Sequence, residues 1–173
     1  MKEYKVNFGK SDGINLLKAP LMPLNEYISA HKGLVIPCHD IILQYNGGLL
    51  LVRRNVYSPK DILWPLGGRI KRGMHIEDSL REKVKEECNL ELEGIVGLGH
   101  VRMFFMTEPF NHGKGTDNII FMFFGIGKGE LKLDKDHRDP TTVLPKDYTQ
   151  EFRKDLQPYV RDFMDLAIKL VKE

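Results

Sequence analysis

The residues whose types and spacing could do chemistry in this 173-residue chain lie on and around one candidate helix. Between Ile76 and Cys88, apolar Ile76, Leu80 and Val84 recur at helical spacing and form one stripe centred on Leu80. Glu87 stands seven residues beyond Leu80, about 700° round a helix and so about 20° short of two full turns. Its carboxylate is therefore expected to point inward with the stripe, with Lys83 just beside it. An inward carboxylate is costly unless it is paired or bound to a metal. Two readings meet that condition. One is an i,i+4 pair with Lys83, which on a surface contributes only about 0.2–0.5 kcal/mol. The other is a hard cation. Gly67-Gly68-Arg69 lies 18 to 20 residues before Glu87, and tandem glycines leave backbone carbonyls and amides open to a ligand. Mg²⁺ takes one or two carboxylates plus carbonyl and water oxygens, and it usually bridges to phosphate.

The elements that would position these groups follow from hydrophobic periodicity and turn signals. Leu24, Tyr27 and Ile28 suit a short amphipathic helix from Leu24 to His31. Leu34–Ile36 and Asp40–Tyr45 are strand-like, Asn46-Gly47-Gly48 is a hairpin signal, and Leu49–Arg54 is the returning strand. Trp64 to Arg69 reads as a turn. After the helix Ile76–Cys88, strands are expected at Leu90–Gly99, Val101–Thr107 and Ile119–Gly125, with a loop at Asn111–Asp117. A short strand at Leu131–Leu133 leads into the polar stretch Asp134–Asp139. A closing helix runs from about Pro158 to Val171, where Pro158 suits the first turn. This order predicts an α/β sandwich with a mixed central sheet.

Composition narrows the class. A single ordinary domain accounts for the length, with residues 1–21 as a weakly patterned extension and 22–173 as the domain. With 26 Lys+Arg against 24 Asp+Glu, the net charge of +2 argues against a polybasic nucleic-acid binder. The 42% apolar content is too high for a disordered chain, and no apolar run suits a membrane span. Two cysteines, Cys38 and Cys88, make neither a disulfide framework nor a zinc cluster. Met1 to Gly9 alternates charged and apolar residues without a signal-peptide core. A reduced, cytoplasmic protein is expected.

Gly68, Met74, Glu82-Lys83-Val84, Glu86-Glu87 and Asn89-Leu90 have the loop–helix–loop spacing of a Nudix box. Three places depart from it: Met74 stands for Glu, Glu82-Lys83 for Arg-Glu, and Asn89 for Gly. The GDP-mannose mannosyl hydrolase branch carries related departures, and the resemblance to that branch extends over roughly residues 22–165. Asn25-Glu26-Tyr27, Asp40-Ile41-Ile42, Leu50 to Arg54, Gly67-Gly68-Arg69, Gly115-Thr116-Asp117 and Leu133 to His137 resemble its segments in order. The resemblance implies a Nudix-type α/β/α sandwich with a loop–helix–loop metal site. It also implies a Mg²⁺-dependent enzyme (Mn²⁺ being an alternative) in which water attacks the anomeric carbon of a GDP-sugar, GDP-mannose or GDP-glucose, and releases GDP.

Roles carry over position by position. Glu87 and the Gly67 carbonyl would hold the metal, with Asp136 where the branch has glutamine; Glu86 is either a further ligand or merely solvated. Lys83 replaces an acid normally used for metal, so fewer cations are expected. His137 would be the general base, suited by an ordinary pKa of about 6.5. His112 is the substitute, whereas His31, His39, His75 and His100 read as structural or exposed. Arg54 and Arg69 would clamp the diphosphate, since a guanidinium binds phosphate in bidentate fashion. Asp40 would lie near the sugar, and Tyr27 would stack on the base, in a homodimer that exchanges N-terminal segments. Met122 stands where the branch has a tyrosine that helps select guanine. Trp64 and Phe104-Phe105 read as core. Two rivals stay open: a Nudix diphosphohydrolase attacking phosphorus, and a non-catalytic module binding nucleotides or nucleotide sugars. The partner expected is a nucleotide sugar, with neither nucleic acid nor membrane.

Overall fold

The computed structural model describes residues 2–4, 14–55 and 60–171. Most of the Met1–Gly9 stretch lies outside the described residues. In chain order the elements are α1 (Leu24–Gly33), β1 (Ile36–Tyr45), β2 (Gly48–Arg54), β3 (Leu63–Trp64), β4 (Leu66–Arg69), α2 (Ile76–Cys88), β5 (Glu91–Phe105), β6 (Thr116–Lys128), β7 (His137–Val143), α3 (Gln150–Lys154) and α4 (Pro158–Ala167). Seven strands form one mixed sheet. Its main path is β3-β2-β1-β6-β5, with β4 added to β1 and β7 to β2; β1 and β6 run parallel and the other pairs antiparallel.

Period-two alternation assigns the two faces of the sheet. Ile41 and Leu43 point to one side, where Leu80, Val84 and Cys88 of α2 bury against them with Leu50, Leu66 and Phe123. Ile42 points to the other, where Val160, Phe163 and Met164 of α4 pack with Leu49, Leu51 and Met122. Leu80 is fully buried and contributes about 1.5–3 kcal/mol by that alone. The result is the expected α/β/α sandwich with a mixed sheet. Among the described residues no helix is long and apolar enough to cross a membrane, which says nothing of spanning by strands.

Several local expectations held and several did not. The Asn46-Gly47 turn has both residues at positive φ (49° and 80°), the geometry that suits a two-residue hairpin. Trp64 to Arg69 is not a plain turn but two short strands, β3 on β2 and β4 on β1. The two strands expected at Leu90–Gly99 and Val101–Thr107 are one, β5, whose register slips between Glu93 and Val96 and between Gly97 and Gly99. Gly94 and Gly99 adopt positive φ at these bulges, so the period reads as broken while the ladder continues. Leu131–Leu133 is not a strand. Lys132 N and Asp134 N instead donate to the Cys88 and Glu87 carbonyls, at 3.0 and 2.9 Å, satisfying orphan acceptors at the C-terminal end of α2. The polar stretch after it enters β7. Helix α3, capped by the Thr149 hydroxyl on Phe152 N, had no apolar period to announce it.

One feature of the sheet makes room for a site. Along its second half β1 pairs with β2 (Leu43↔Leu50, Tyr45↔Gly48), but along its first half it pairs with β4 (Cys38↔Arg69, Asp40↔Gly67). The far end of β2 meanwhile turns to β3 and β7. Between the diverging β2 and β4 the sheet splits.

Candidate active site

A cavity of about 580 Å³ opens at that split, within the 300–1,000 Å³ usual for ligand sites. Tyr27, Asp40, Arg54, Gly67, Arg69, Glu87, Asp136 and His137, all nominated from the sequence, line it, whereas Glu86 and the substitute base His112 do not. They come from six elements, α1, β1, β2, β4, α2 and β7, and from Asp136 just before β7, so the fold brings together groups up to 110 positions apart in the chain.

Glu87 is buried, as the helical phase of α2 requires. Gly67 N–H donates to its Oε2 at 3.0 Å, and Lys83 Nζ lies 3.7 Å from Oε1. The i,i+4 lysine partner expected from the sequence is thus present but loose, and it is the Gly67 amide, not its carbonyl, that meets the carboxylate. Burial pushes the Glu87 carboxyl up to about 8; Lys83 and the Gly67 amide oppose this, while the Asp134 and Asp40 carboxylates add to it. Gly67 has to be glycine, because a Cβ there would overlap the Asp40 carboxylate and the His39 carbonyl. Glu86 is held by Lys71 (2.6 Å) and Lys83 (3.4 Å) on the outer side of α2 and does not line the cavity.

The opposite wall is β2 and β7. Arg54 and His137 are register partners across that ladder. His137 Nδ1 bonds Asp134 Oδ1 at 2.8 Å, and the same oxygen accepts Asp136 N–H at 3.0 Å. A carboxylate oxygen accepts, so Nδ1 is the donor to Asp134 and Nε2 is the ring nitrogen this bond does not use. Asp136 is pinned by its own backbone, its carbonyl accepting Asn55 N–H at 2.8 Å.

The floor is β1. Asp40 is buried, and Tyr159 of α4 donates to its Oδ2 at 2.8 Å. Burial raises the Asp40 carboxyl to about 7 against the opposing pull of the Tyr159 bond and Arg54. Tyr159 packs against Trp64 at 5.1 Å; Trp64 and Phe105 belong to the core, as expected, and also face the cavity, whereas Phe104, expected in the core beside Phe105, lies on the opposite face of β5 and is 68% exposed. At the far end, the Arg69 guanidinium sits 3.9 Å over the Tyr27 ring, a stacked cation–π contact. Arg69 therefore stands at the aromatic end, and one face of Tyr27 is already covered. Phe110 meets Tyr27 edge-on at 5.4 Å. Met122 is buried in the α4-side core, away from the cavity lining.

Sequence reasoning passed over Asp134, Tyr159, Phe110 and His31. Asp134 stands three residues before His137 and carried a usable signal; Tyr159 carried none, because its contact with Asp40 spans 119 positions. His112, the substitute base, has both ring nitrogens engaged, Nδ1 by Lys114 N–H (3.1 Å) and Nε2 by His31 (2.8 Å).

Solved structures share this architecture. A MutT Nudix hydrolase from Burkholderia pseudomallei gives a TM-score of 0.59 at 15% identity, covering 80% of this chain and 99% of that one. A MutT protein from Methanosarcina mazei Go1 gives 0.60 at 19% identity, covering 80% and 96%. A Nudix hydrolase from Nitrosomonas europaea gives 0.57 at 17% identity, covering 81% and 97%. The fold is that of the Nudix hydrolases. No family model matches the sequence, and no curated protein does.

On the Nudix fold, the box-like segment is β4, the following loop and α2, and two of its departures have local reasons. Asn89 sits at φ 60°, a left-handed helix cap that asparagine tolerates, and its Nδ2 donates to the Glu130 carbonyl at 3.1 Å. Glu82 pairs outward with Lys71 at 2.7 Å. Nudix hydrolases generally use divalent metals, and the donors present in this chain can be tested against one. Among the described residues no three of His, Cys, Asp and Glu gather closely enough to hold an ion by themselves. What the cavity offers is a buried, under-neutralised Glu87 with Asp134 within electrostatic reach. Mg²⁺ commonly takes one or two carboxylates and completes its shell with water and substrate phosphate. The residues fit a cation of that kind and not a closed protein cage.

Proposed function

We propose that this protein is a Nudix hydrolase that cleaves a nucleotide sugar, a GDP-hexose such as GDP-mannose or GDP-glucose, at the anomeric carbon. The observation that carries the reading is the convergence of an oriented histidine, an arginine and a buried carboxylate on one cavity that is polar at one end and aromatic at the other. His137, held by Asp134, takes a proton from water through Nε2 as the water oxygen bonds to the sugar carbon. The C–O bond to the diphosphate breaks with inversion, and the nucleoside diphosphate leaves. Arg54 binds the departing diphosphate, and Lys83 adds positive charge from α2. Glu87, the Gly67 carbonyl and Asp136 or Asp134 would hold Mg²⁺, which when bound would supply neutralising charge to the diphosphate. Arg69 and Tyr27 form the platform for the base. The exposed Leu21, Met22 and Leu24 at the mouth of the cavity suit cover by a second copy of the chain.

The test is turnover of GDP-mannose and GDP-glucose with Mg²⁺ in ¹⁸O water. Label in the free sugar supports attack at carbon. Label in phosphate replaces it with attack at phosphorus, and tight binding without turnover makes the protein a nucleotide-sugar binding module.

A further inference from the structure

The aromatic end of the cavity is built from two segments distant in sequence: α1, which carries Tyr27, and the loop 106–115 between β5 and β6, which carries Phe110. Two histidines join them. His112 is almost fully buried in the loop and His31 is buried in the last turn of α1; His112 Nε2 and His31 Nδ1 lie 2.8 Å apart. The neighbouring bonds fix the protons. Lys114 N–H donates to His112 Nδ1 at 3.1 Å, so the ring proton of His112 is on Nε2 and points at His31. His31 Nδ1 accepts it, leaving its own proton on Nε2, which faces the Thr116 hydroxyl oxygen at 3.5 Å. That hydroxyl donates onward to the Thr107 carbonyl at 3.3 Å. Each donor in this relay meets an acceptor. Burial lowers the His31 pKa, with His112 and Arg69 adding to the effect and Glu108 opposing it, which agrees with a neutral ring.

We propose that His31 and His112 are positioning residues for the ligand of this site: their bond ties the loop to α1 and so sets Phe110 against Tyr27 as the wall of the base pocket. This rests on the nucleotide-sugar reading above. The ring contacts follow from the tie, with Phe110 edge-on to His31 at 5.3 Å and to Tyr27 at 5.4 Å. The loop is preformed for it. The Glu108 carboxylate accepts Phe110 N–H (2.6 Å) and Gly113 N–H (3.0 Å), so these two amides are protected only while the loop keeps its fold against α1. Neither histidine reaches the diphosphate end, so the tie acts on affinity and not on the chemical step.

The experiment uses the full chain as wild type, His112→Ala, His31→Ala, the double variant and His112→Gln, whose side-chain amide can still donate to His31. Hydrogen exchange of the free protein reads the tie directly. Either alanine variant is expected to speed exchange at the Phe110 and Gly113 amides about tenfold, leaving β1 and β6 amides unchanged, and His112→Gln to restore most of the protection. Mg²⁺-GDP titration reads the consequence: Kd rises about five- to tenfold in each single variant, and the double variant binds no more weakly than the worse single, as expected for groups acting through one bond. Unchanged exchange at Phe110 and Gly113, or additive losses in the double variant, would overturn the proposal. Wild-type protein that shows the tie by exchange but binds no nucleoside diphosphate would sink the nucleotide-sugar reading, and with it the ligand role, while leaving the tie itself standing.

Discussion

Replacing Glu87 by glutamine separates what this carboxylate costs from what it is for. In the folded chain burial moves its pKa from 4.5 up to about 8. The folded state therefore holds a proton that the unfolded chain has released, and between those two values stability falls as pH rises. A tenfold change in proton affinity is about 1.4 kcal/mol, so the ionised, metal-free side chain costs at most about 5 kcal/mol above pH 8. Glutamine keeps the shape and can accept the Gly67 N–H while carrying no charge. Recovering about 1–3 kcal/mol of that cost should raise Tm by about 3–10 °C at pH 8.5 for a chain of this length. The assay is calorimetry of both proteins at pH 5.5, 7 and 8.5, with and without Mg²⁺. Wild type should lose stability across the series and E87Q lose less, the remaining slope belonging to Asp40, whose carboxyl is raised to about 7. Mg²⁺ should raise the wild-type Tm at pH 8.5, leave E87Q nearly unmoved, and E87Q should have lost turnover. A wild-type Tm that does not change with pH would refute the reasoning, as would an E87Q less stable than wild type at pH 8.5 without metal.

Gly67→Ala forces a methyl into the Asp40 carboxylate and the His39 carbonyl, so a loss of about 2–4 kcal/mol is expected by urea unfolding. Tyr159→Phe removes the 2.8 Å donor to Asp40 and should cost about 1–3 kcal/mol, more at pH 8.5 than at pH 5.5, since ionised Asp40 is the form that bond stabilises. His137→Ala should lower kcat about 10²–10⁴-fold. Asp134→Asn, which leaves His137 in place without its ionised partner, should lower kcat by a smaller factor with KM little changed, as steady-state kinetics on GDP-mannose will show.

How much of this was legible in the sequence depends on how far apart the interacting groups lie. The limits of α2 and the inward turn of Glu87 follow from the phase of three apolar residues, and both were readable at once. The diverging strands that open the cavity were not. β4 has four residues, too few to show a period, and its glycines say turn unless the pairing with β1 is known. The histidine relay was hidden for a different reason: His31 on α1 looks like a surface residue until the loop 106–115 folds over it.

The same split explains why two acids with raised pKa values face one space. A strand that keeps one partner throughout leaves no gap, and a carboxylate on its inner face would meet only side chains. By changing partner between Asp40 and Leu43, β1 exposes Asp40 to a cavity while burying it from bulk water. α2 then delivers Glu87 to the same space across Gly67, the one residue type thin enough to let both approach. Asp40 adds to the cost of ionising Glu87, and one lysine at 3.7 Å does not cancel it. A fold selected only for stability would place glutamine or an apolar side chain at position 87. The pair of acids makes physical sense as a place kept for positive charge that arrives with the ligand.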